Sequence, residues 1–258
     1  MKHFAILITL LRDRKNFLED IRKNVRVESK IVALLISSSI FFAVYGAIIG
    51  SSSSFLQAIS SAIKLPALYL ITLIICLPTL FFFDILFGSA LGFSQYAALI
   101  LATMSIISVL LFSFAPITLF FLISVHDYNF FLLLNVAIFT LTGIIGINLF
   151  YQGMQLIAQT SEVKAIDMAQ KEKEIIPIDE FYPITDPLAK PEEGLQKTRT
   201  RLLQFWLILY GLVGSQLGWT LRPFFGAPNE PFQLFRNIEG NFYTQVFRTL
   251  LSFLGFDQ

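Results

Sequence analysis

The sequence is 258 residues long, with 55% hydrophobic residues, only 14% charged residues and a formal net charge of +1. Soluble domains contain roughly 25% charged residues, and their helices carry apolar residues on one face rather than in long runs. The composition therefore predicts an all-α membrane protein, and the near-neutral charge argues against a nucleic-acid partner. With one cysteine and two histidines, the chain lacks the usual zinc-ligand sets, and no metal or cofactor is expected.

Residues 1–30 predict a helical, amphipathic segment. Ile6, Leu7, Leu10 and Leu11 recur at three- and four-residue spacings, and basic residues follow them. Such a segment can lie in the interface of an anionic membrane or pack on the protein's own cytoplasmic face, and the sequence leaves both open. The apolar run is short and no small-residue cleavage site follows it, so we expect the first transmembrane helix to direct insertion.

Residues 31–157 predict a bundle of four transmembrane spans, because each apolar run approaches or exceeds the roughly 20 residues that a span needs. Pro66 is expected in the first turn of the second span, where proline is well tolerated, after a short linker over residues 55–64. The third run is too long for a vertical span, so it must tilt, kink at Pro116 or extend past the bilayer. The predicted spans cover residues 31–50, 66–87, 96–124 and 130–156.

The composition changes after the fourth span. Residues 158–201 contain seven Lys/Arg, nine Asp/Glu and four prolines, which predicts a charged cytoplasmic connector. Residues 202–221 are apolar again and predict a fifth span. Residues 222–258 form an aromatic tail interrupted by prolines, and the apolar spacing after Asn237 predicts an interfacial helix on the membrane or against the bundle.

The distribution of basic residues predicts an orientation. Residues 1–30 contain eight of the 19 Lys/Arg, and the connector contains seven. Basic residues near span ends favour the cytoplasmic side, and an even number of predicted spans separates these two segments. We therefore expect a cytoplasmic N-terminus, a cytoplasmic connector and an extracytoplasmic tail.

The fifth span contains a surface of small residues at helical spacings. Such surfaces let another helix approach closely, either in the same chain or in a partner. A tryptophan and an arginine follow at the outer membrane interface, where their amphipathic side chains act as anchors. The sequence therefore predicts a partner-binding surface formed by Gly211, Gly214, Ser215, Gly218, Trp219 and Arg222.

Asp84 lies inside the second predicted span. A carboxylate within a span is costly and is a functional-site hypothesis by default. Near the cytoplasmic end, however, it could reach water or pair with the basic N-terminal segment. A proton or cation site at Asp84 is the alternative interpretation.

Three stretches resemble known membrane proteins. LQAISSAIKLPALYLITLIICLP at 56–78 and FAPITLFF at 114–121 resemble bacterial Yip1-like multispan proteins. GWTLRPFFGAPNEPFQLFR at 218–236 is similar to a block in uncharacterised bacterial, often cyanobacterial, membrane proteins. The resemblance implies a bacterial inner-membrane protein with a role in membrane organisation or complex assembly.

Two functions of different classes follow from these patterns. The first is a non-catalytic scaffold or accessory subunit, whose partners are membrane lipids and other membrane proteins or further copies of itself. The second is a channel or transporter that forms a homo-oligomeric pore. A membrane-embedded enzyme is disfavoured, because the spans lack paired His, Asp or Glu residues that could face one another.

Overall fold

A computed structural model describes residues 2–86, 91–125, 127–175, 193–226, 231–235 and 240–253. Within these ranges the chain is entirely helical apart from its loops, which confirms the predicted all-α class. The eight helices are α1 (Lys2–Arg12), α2 (Arg14–Arg22), α3 (Val27–Gly50), α4 (Phe55–Leu86), α5 (Phe93–Ser124), α6 (Tyr128–Ile175), α7 (Glu193–Thr220) and α8 (Phe242–Phe253).

Four of these helices are long and apolar enough to cross a membrane, and they indicate a multi-pass membrane protein. They are α3, α4 over Phe55–Phe83, α5, and α6 over Tyr128–Gln155. Helix α5 has 32 residues, which corresponds to about 48 Å, whereas the hydrocarbon core is about 30 Å thick. The third predicted span is therefore one long helix that contains Pro116.

The start of α4 differs from the sequence prediction. The linker expected over residues 55–64 is helical, so Pro66 lies inside α4 rather than in its first turn. A proline inside a helix costs about 3 kcal/mol, because it removes a hydrogen bond and crowds the preceding turn. Tertiary contacts offset this cost here, since the first turns of α4 pack closely against the end of α3.

Glycines on α3 allow this close packing. A Cβ atom at Gly46 would lie 2.4 Å from the carbonyl oxygen of Ser61, and one at Gly50 would lie 2.5 Å from that of Gln57. Both distances are shorter than any normal contact, so the two backbones touch at these points. Gly46 and Gly50 are four residues apart, the spacing of small residues at close helix crossings in membranes.

Helices α1 and α2 pack on the end of the bundle where α3 begins, which we call the α1–α2 end. Their buried apolar side chains are Leu7, Leu10, Phe17, Leu18 and Ile21. Lys30 Nζ lies 2.8 Å from a carboxylate oxygen of Asp20 and fastens α2 to α3. The inner face of this segment therefore packs on the protein's own bundle, one of the two locations that the sequence left open.

Arg14 fastens α2 to α6 at the same end. Its Nη2 donates a hydrogen bond of 2.6 Å to the carbonyl oxygen of Leu149 on α6. Burial lowers the pKa of this guanidinium below its ordinary value, although an arginine stays charged in proteins. Gln95 at the start of α5 completes the attachment by donating to the carbonyl oxygen of Arg22 at 2.7 Å.

Candidate functional site

Polar side chains in the first turns of α4 hold the backbone that follows α7. Gln57 Nε2 donates a 2.7 Å hydrogen bond to the carbonyl oxygen of Pro223. One turn later, Ser61 Oγ donates to the carbonyl oxygen of Phe224. Gln57 and Ser61 are themselves fully buried. These side chains, which a hydropathy reading assigns to a linker, are therefore internal fastening points.

Two further side chains continue this pattern along the same backbone. Ser52 Oγ donates to the carbonyl oxygen of Phe225 at 2.8 Å. Tyr128 OH, from the first residue of α6, donates to the carbonyl oxygen of Gly226 at 2.8 Å. Each carbonyl from Pro223 to Gly226 thus accepts a hydrogen bond from a side chain. We call the donors Ser52, Gln57, Ser61 and Tyr128 the tail clamp.

The tail clamp supplies hydrogen-bond donors to the carbonyl groups that follow the end of α7. Carbonyl groups beyond a helix terminus have no partner within the helix, and a buried polar group without a partner costs about 1–3 kcal/mol. Pro223 is buried and has no N–H that would need a partner. Gly226 has φ +72, and a Cβ atom there would lie 2.4 Å from Cβ of Ser53. Both its conformation and its surroundings therefore require glycine.

Lys64 adds a cation to this region, one turn further along α4. It is 5% exposed, and its Nζ donates to the carbonyl oxygen of Leu234. The ammonium group also lies 4.6 Å from the ring centroid of Phe235 and 3.4 Å from the carbonyl oxygen of Pro223. In the described part of the chain no carboxylate pairs with Lys64, so carbonyl dipoles and an aromatic face stabilise its charge.

Aromatic and polar contacts continue from the clamp to α8. The ring of Phe225 lies edge-on to that of Phe131 on α6, with 6.0 Å between the centroids. Tyr243 on α8 shares a 2.7 Å hydrogen bond with Ser215 on α7. Phe253 at the other end of α8 lies 6.4 Å from the ring of Phe130. Helix α8 therefore bridges α7 and α6 beside the clamp.

The residues of the predicted partner-binding surface lie on different sides of α7. Gly214 faces α4, because a Cβ atom there would lie 3.7 Å from Thr72 Cγ2. Gly218 faces the same helix, at 3.7 Å from Leu68 Cδ2. A Cβ atom at Gly211, in contrast, would meet no atom of the described residues within 4 Å. Two of the predicted glycines thus contact the chain's own second long helix, and the third is open.

The polar members of that predicted surface have partners within the chain. Ser215 bonds Tyr243, as described above. The guanidinium of Arg222 stacks on the ring of Trp219, with 3.8 Å from Cζ to the ring centroid. This pair lies directly before the clamped backbone and marks the end of α7.

A second polar group lies inside the bundle, between α3, α5 and α6. Tyr45 OH donates to Asn135 Oδ1 at 2.8 Å and lies 3.2 Å from Thr118 Oγ1. All three side chains are fully buried. Hydrogen-bonded polar groups of this kind join helices where the alternative partner would be hydrocarbon.

The Asp84 hypothesis falls outside the described side chains, although its backbone belongs to α4. Much of the predicted connector, residues 176–192, is also outside the described residues. Among the residues that the structure describes, no group of three or more His, Cys, Asp and Glu could hold a metal ion. The described polar contacts fasten helices and tail segments to one another.

Comparison with protein-family models, curated proteins and solved structures found no match to this chain. The resemblance to Yip1-like proteins therefore stays a prediction from the quoted stretches.

Proposed function

We propose that the chain is a non-catalytic integral membrane subunit that binds other membrane proteins, or further copies of itself, through α7. The single observation that carries the proposal is the contrast between the two sides of α7. One side packs on α4 and is fastened through the clamp and α8, whereas the other exposes an open glycine among large apolar side chains. A helix that is fixed on one side offers a rigid surface on the other.

In the proposed topology the chain crosses the membrane five times, and α7 is the fifth span. Helix α7 covers residues 202–220 of the apolar stretch predicted at 202–221, and the stacked Trp219 and Arg222 at its end are suited to a membrane interface. The basic residues of segments 1–30 and 158–201 favour the cytoplasm for both. The clamp and α8 then lie on the extracytoplasmic side, and the bacterial inner membrane is the proposed location.

The geometry narrows the proposed contact to one stripe of α7. Ile208 and Leu212 are exposed on either side of Gly211. Ile208 and Leu212 are four residues apart and share one helix face, and Gly211, three residues after Ile208, lies at the edge of that face. A partner helix could approach the backbone closely at Gly211, as small residues allow in membrane helix pairs. We call this stripe, Ile208, Gly211 and Leu212, the α7 notch.

A substitution at the notch tests the proposal without disturbing the fold. Gly211→Leu places its side chain in open space, whereas Gly214→Leu would press on Thr72 and disturb the chain's own packing. The matched control is Gly143→Leu on α6, because a Cβ atom there also meets no part of the described chain within 4 Å. Particle mass in native lipid particles, with mass spectrometry of the co-purifying chains, is the measurement.

The expected result is a complex larger than the 29.2 kDa chain for the wild type and for Gly143→Leu, and a smaller particle for Gly211→Leu. Loss of a different protein identifies a hetero-complex, and loss of further copies identifies a homo-oligomer. A wild-type particle that holds a single chain and nothing else would overturn the proposal. Equal particle masses for the two variants would do the same.

The second candidate, a channel or transporter, is favoured by the hydroxyl groups inside the bundle. Ser37, Ser105 and Ser108 are fully buried, and Ser37 Oγ has no hydrogen-bond partner in the described structure. Together with Tyr45 and its partners, these serines place polar atoms along the contact between α3 and α5. A pathway for an ion or polar solute through the bundle would need such polar atoms. Ion or solute flux in proteoliposomes that falls with Asp84→Asn supports this candidate, and tight vesicles rule it out.

A further inference from the structure

Helices α1 and α2 pack on the bundle with their inner face, and their outward face is exposed. Helix α1 runs back along α3, and the ring of Phe4 lies 5.9 Å from that of Phe41. Phe41 is in the middle of α3, about 21 Å along the helix axis from Val27. Helix α1 therefore extends from the α1–α2 end toward the middle of the apolar part of the bundle.

The outward face of α1 is apolar. Phe4, Ile8 and Leu11 are exposed, and Ile8 is 60% exposed. Thr9 on the same helix returns its hydroxyl to the carbonyl oxygen of Ala5 at 2.9 Å, so its polar atom needs no water. An exposed apolar face at this depth is suited to acyl chains.

A basic surface lies at the base of this helix. The described ion pairs of α2 join Lys23 to Glu19 at 2.7 Å and Lys30 to Asp20 at 2.8 Å. Neither pair uses the remaining basic side chains, of which Arg12, Lys15 and Arg26 are exposed. Residues 1–30 contain eight basic and four acidic residues, so positive charge remains after every acidic residue is matched.

The basic side chains are placed next to exposed apolar ones. Leu11 is exposed beside Arg12, and Val25 is exposed beside Arg26. Arg22 lies between these two pairs in the sequence, and its Nη1 is buried without a hydrogen-bond partner in the described structure. An apolar side chain in the acyl layer with a neighbouring cation at headgroup level is the arrangement of proteins that bind anionic lipid surfaces.

We propose that α1 and α2 form a docking surface for anionic phospholipids. Helix α1 takes the acyl chains along Phe4, Ile8 and Leu11, and the cations at its base bind the headgroup phosphates. The occupant is lipid rather than a soluble anion, because the cations stand beside an apolar face that a free anion would leave uncovered. This proposal is independent of the α7 notch and of the function proposed above.

The test compares the full chain in nanodiscs of neutral phosphatidylcholine with discs that also contain phosphatidylglycerol. The variant is Arg12→Gln combined with Arg26→Gln, and the control is Arg248→Gln, another exposed arginine at the opposite end of the bundle. The readout is the shift in melting temperature that the anionic lipid causes. Because both substituted side chains are exposed, equal melting temperatures in neutral discs establish that the variant folds.

We expect anionic lipid to raise the melting temperature of the wild type and of the control, and the double variant to lose at least half of that shift. Inorganic phosphate added to neutral discs should give no shift, which separates lipid from a free anion. High salt should reduce the shift, since headgroup attraction is screened. Equal melting temperatures of the wild type in the two discs, or equal shifts for variant and control, overturn the proposal.

Labelling provides an independent measurement of depth. In a Cys76→Ala background, which removes the only cysteine, a water-soluble maleimide should react with Lys15→Cys in nanodiscs but not with Ile8→Cys. Both positions should react after denaturation in sodium dodecyl sulfate. Rapid labelling of Ile8→Cys in intact discs would show that α1 is not covered by lipid and would overturn the proposed placement.

Discussion

The backbone contact between α3 and α4 at Gly46 gives a sharp test of the fold. At Gly46 an added Cβ atom would meet three backbone atoms of α4: Ser61 O at 2.4 Å, Ser61 C at 2.9 Å and Ala62 Cα at 3.1 Å. None of these atoms can rotate away, so Gly46→Ala must push α3 and α4 apart. Overpacking a well-packed site costs about 1–3 kcal/mol, occasionally more.

Replacing glycine by alanine also stabilises the helix itself, and a control substitution can measure this gain separately from the cost of overpacking. Alanine favours a helix over glycine by roughly 0.5–1 kcal/mol, and this gain is isolated in Gly143→Ala, where a Cβ atom meets none of the described atoms within 4 Å. We therefore expect Gly143→Ala to be neutral or stabilising in the membrane protein, and Gly46→Ala to be destabilised relative to it. Reversible unfolding from mild detergent into sodium dodecyl sulfate, followed by circular dichroism, measures the difference. Equal stability of the two variants would refute a backbone contact at Gly46.

Three further substitutions test the clamp and the internal polar group. Gln57→Leu removes the 2.7 Å donor to the carbonyl of Pro223 and leaves only the longer 3.4 Å contact from Lys64, which should cost about 1–3 kcal/mol, seen as a lower unfolding midpoint. Lys64→Met keeps much of the side-chain length but loses the cationic contacts with Phe235 and the backbone, so limited proteolysis should cut near residues 231–235 faster than in wild type. Tyr45→Phe removes a hydroxyl that serves Asn135 and should cost about 0.6 kcal/mol, the average for such bonds in membranes, in the same unfolding assay.

The predicted bundle and its first four spans follow from the lengths of the apolar runs. Transfer of many apolar side chains from water dominates other local preferences, so run length places the apolar middle of each span but not its ends: α4 begins eleven residues before the predicted start at Pro66. Val27–Gly50 and Phe93–Ser124 begin earlier than predicted, because polar residues such as Glu28 and Gln95 can continue a helix past the apolar core. Sequence patterns place helix ends less well than helix middles for this reason.

The tail clamp was not predicted, because its meaning depends on a partner far away in the chain. Gln57 and Ser61 look like linker residues until the carbonyls of Pro223 and Phe224 are placed beside them. A signal was nevertheless present: Gln57, Ser61 and Lys64 are spaced by four and three residues, which puts them on one helix face. That spacing predicts a polar helix face, whereas the preceding serine run and Pro66 favoured a linker.

The two glycine pairs show how the same motif can have different consequences. Gly214 and Gly218 drew attention because they lie in a span of small residues, yet their missing side chains leave ordinary contact distances of 3.7 Å to α4. Gly46 and Gly50 have the same spacing, and there the backbones themselves are in contact. The spacing of small residues predicts a flat helix face. The distance to the neighbouring helix depends on which of its atoms face the glycine: the carbonyl group of Ser61 at Gly46, but the side chain of Thr72 at Gly214.

The division of α7 into a fixed side and an open side determines where partner binding can be looked for. Gly214 and Gly218 already contact α4, so substitutions there would change the stability of the chain and its binding together. No described atom lies within 4 Å of a Cβ atom built at Gly211, so a substitution there leaves the internal contacts intact. Because the clamp fastens the backbone just beyond α7 to α4, the position of this open glycine is set by the chain's own core. A partner that binds at Gly211 would therefore meet a surface that is already formed before binding, which lowers the entropic cost of association.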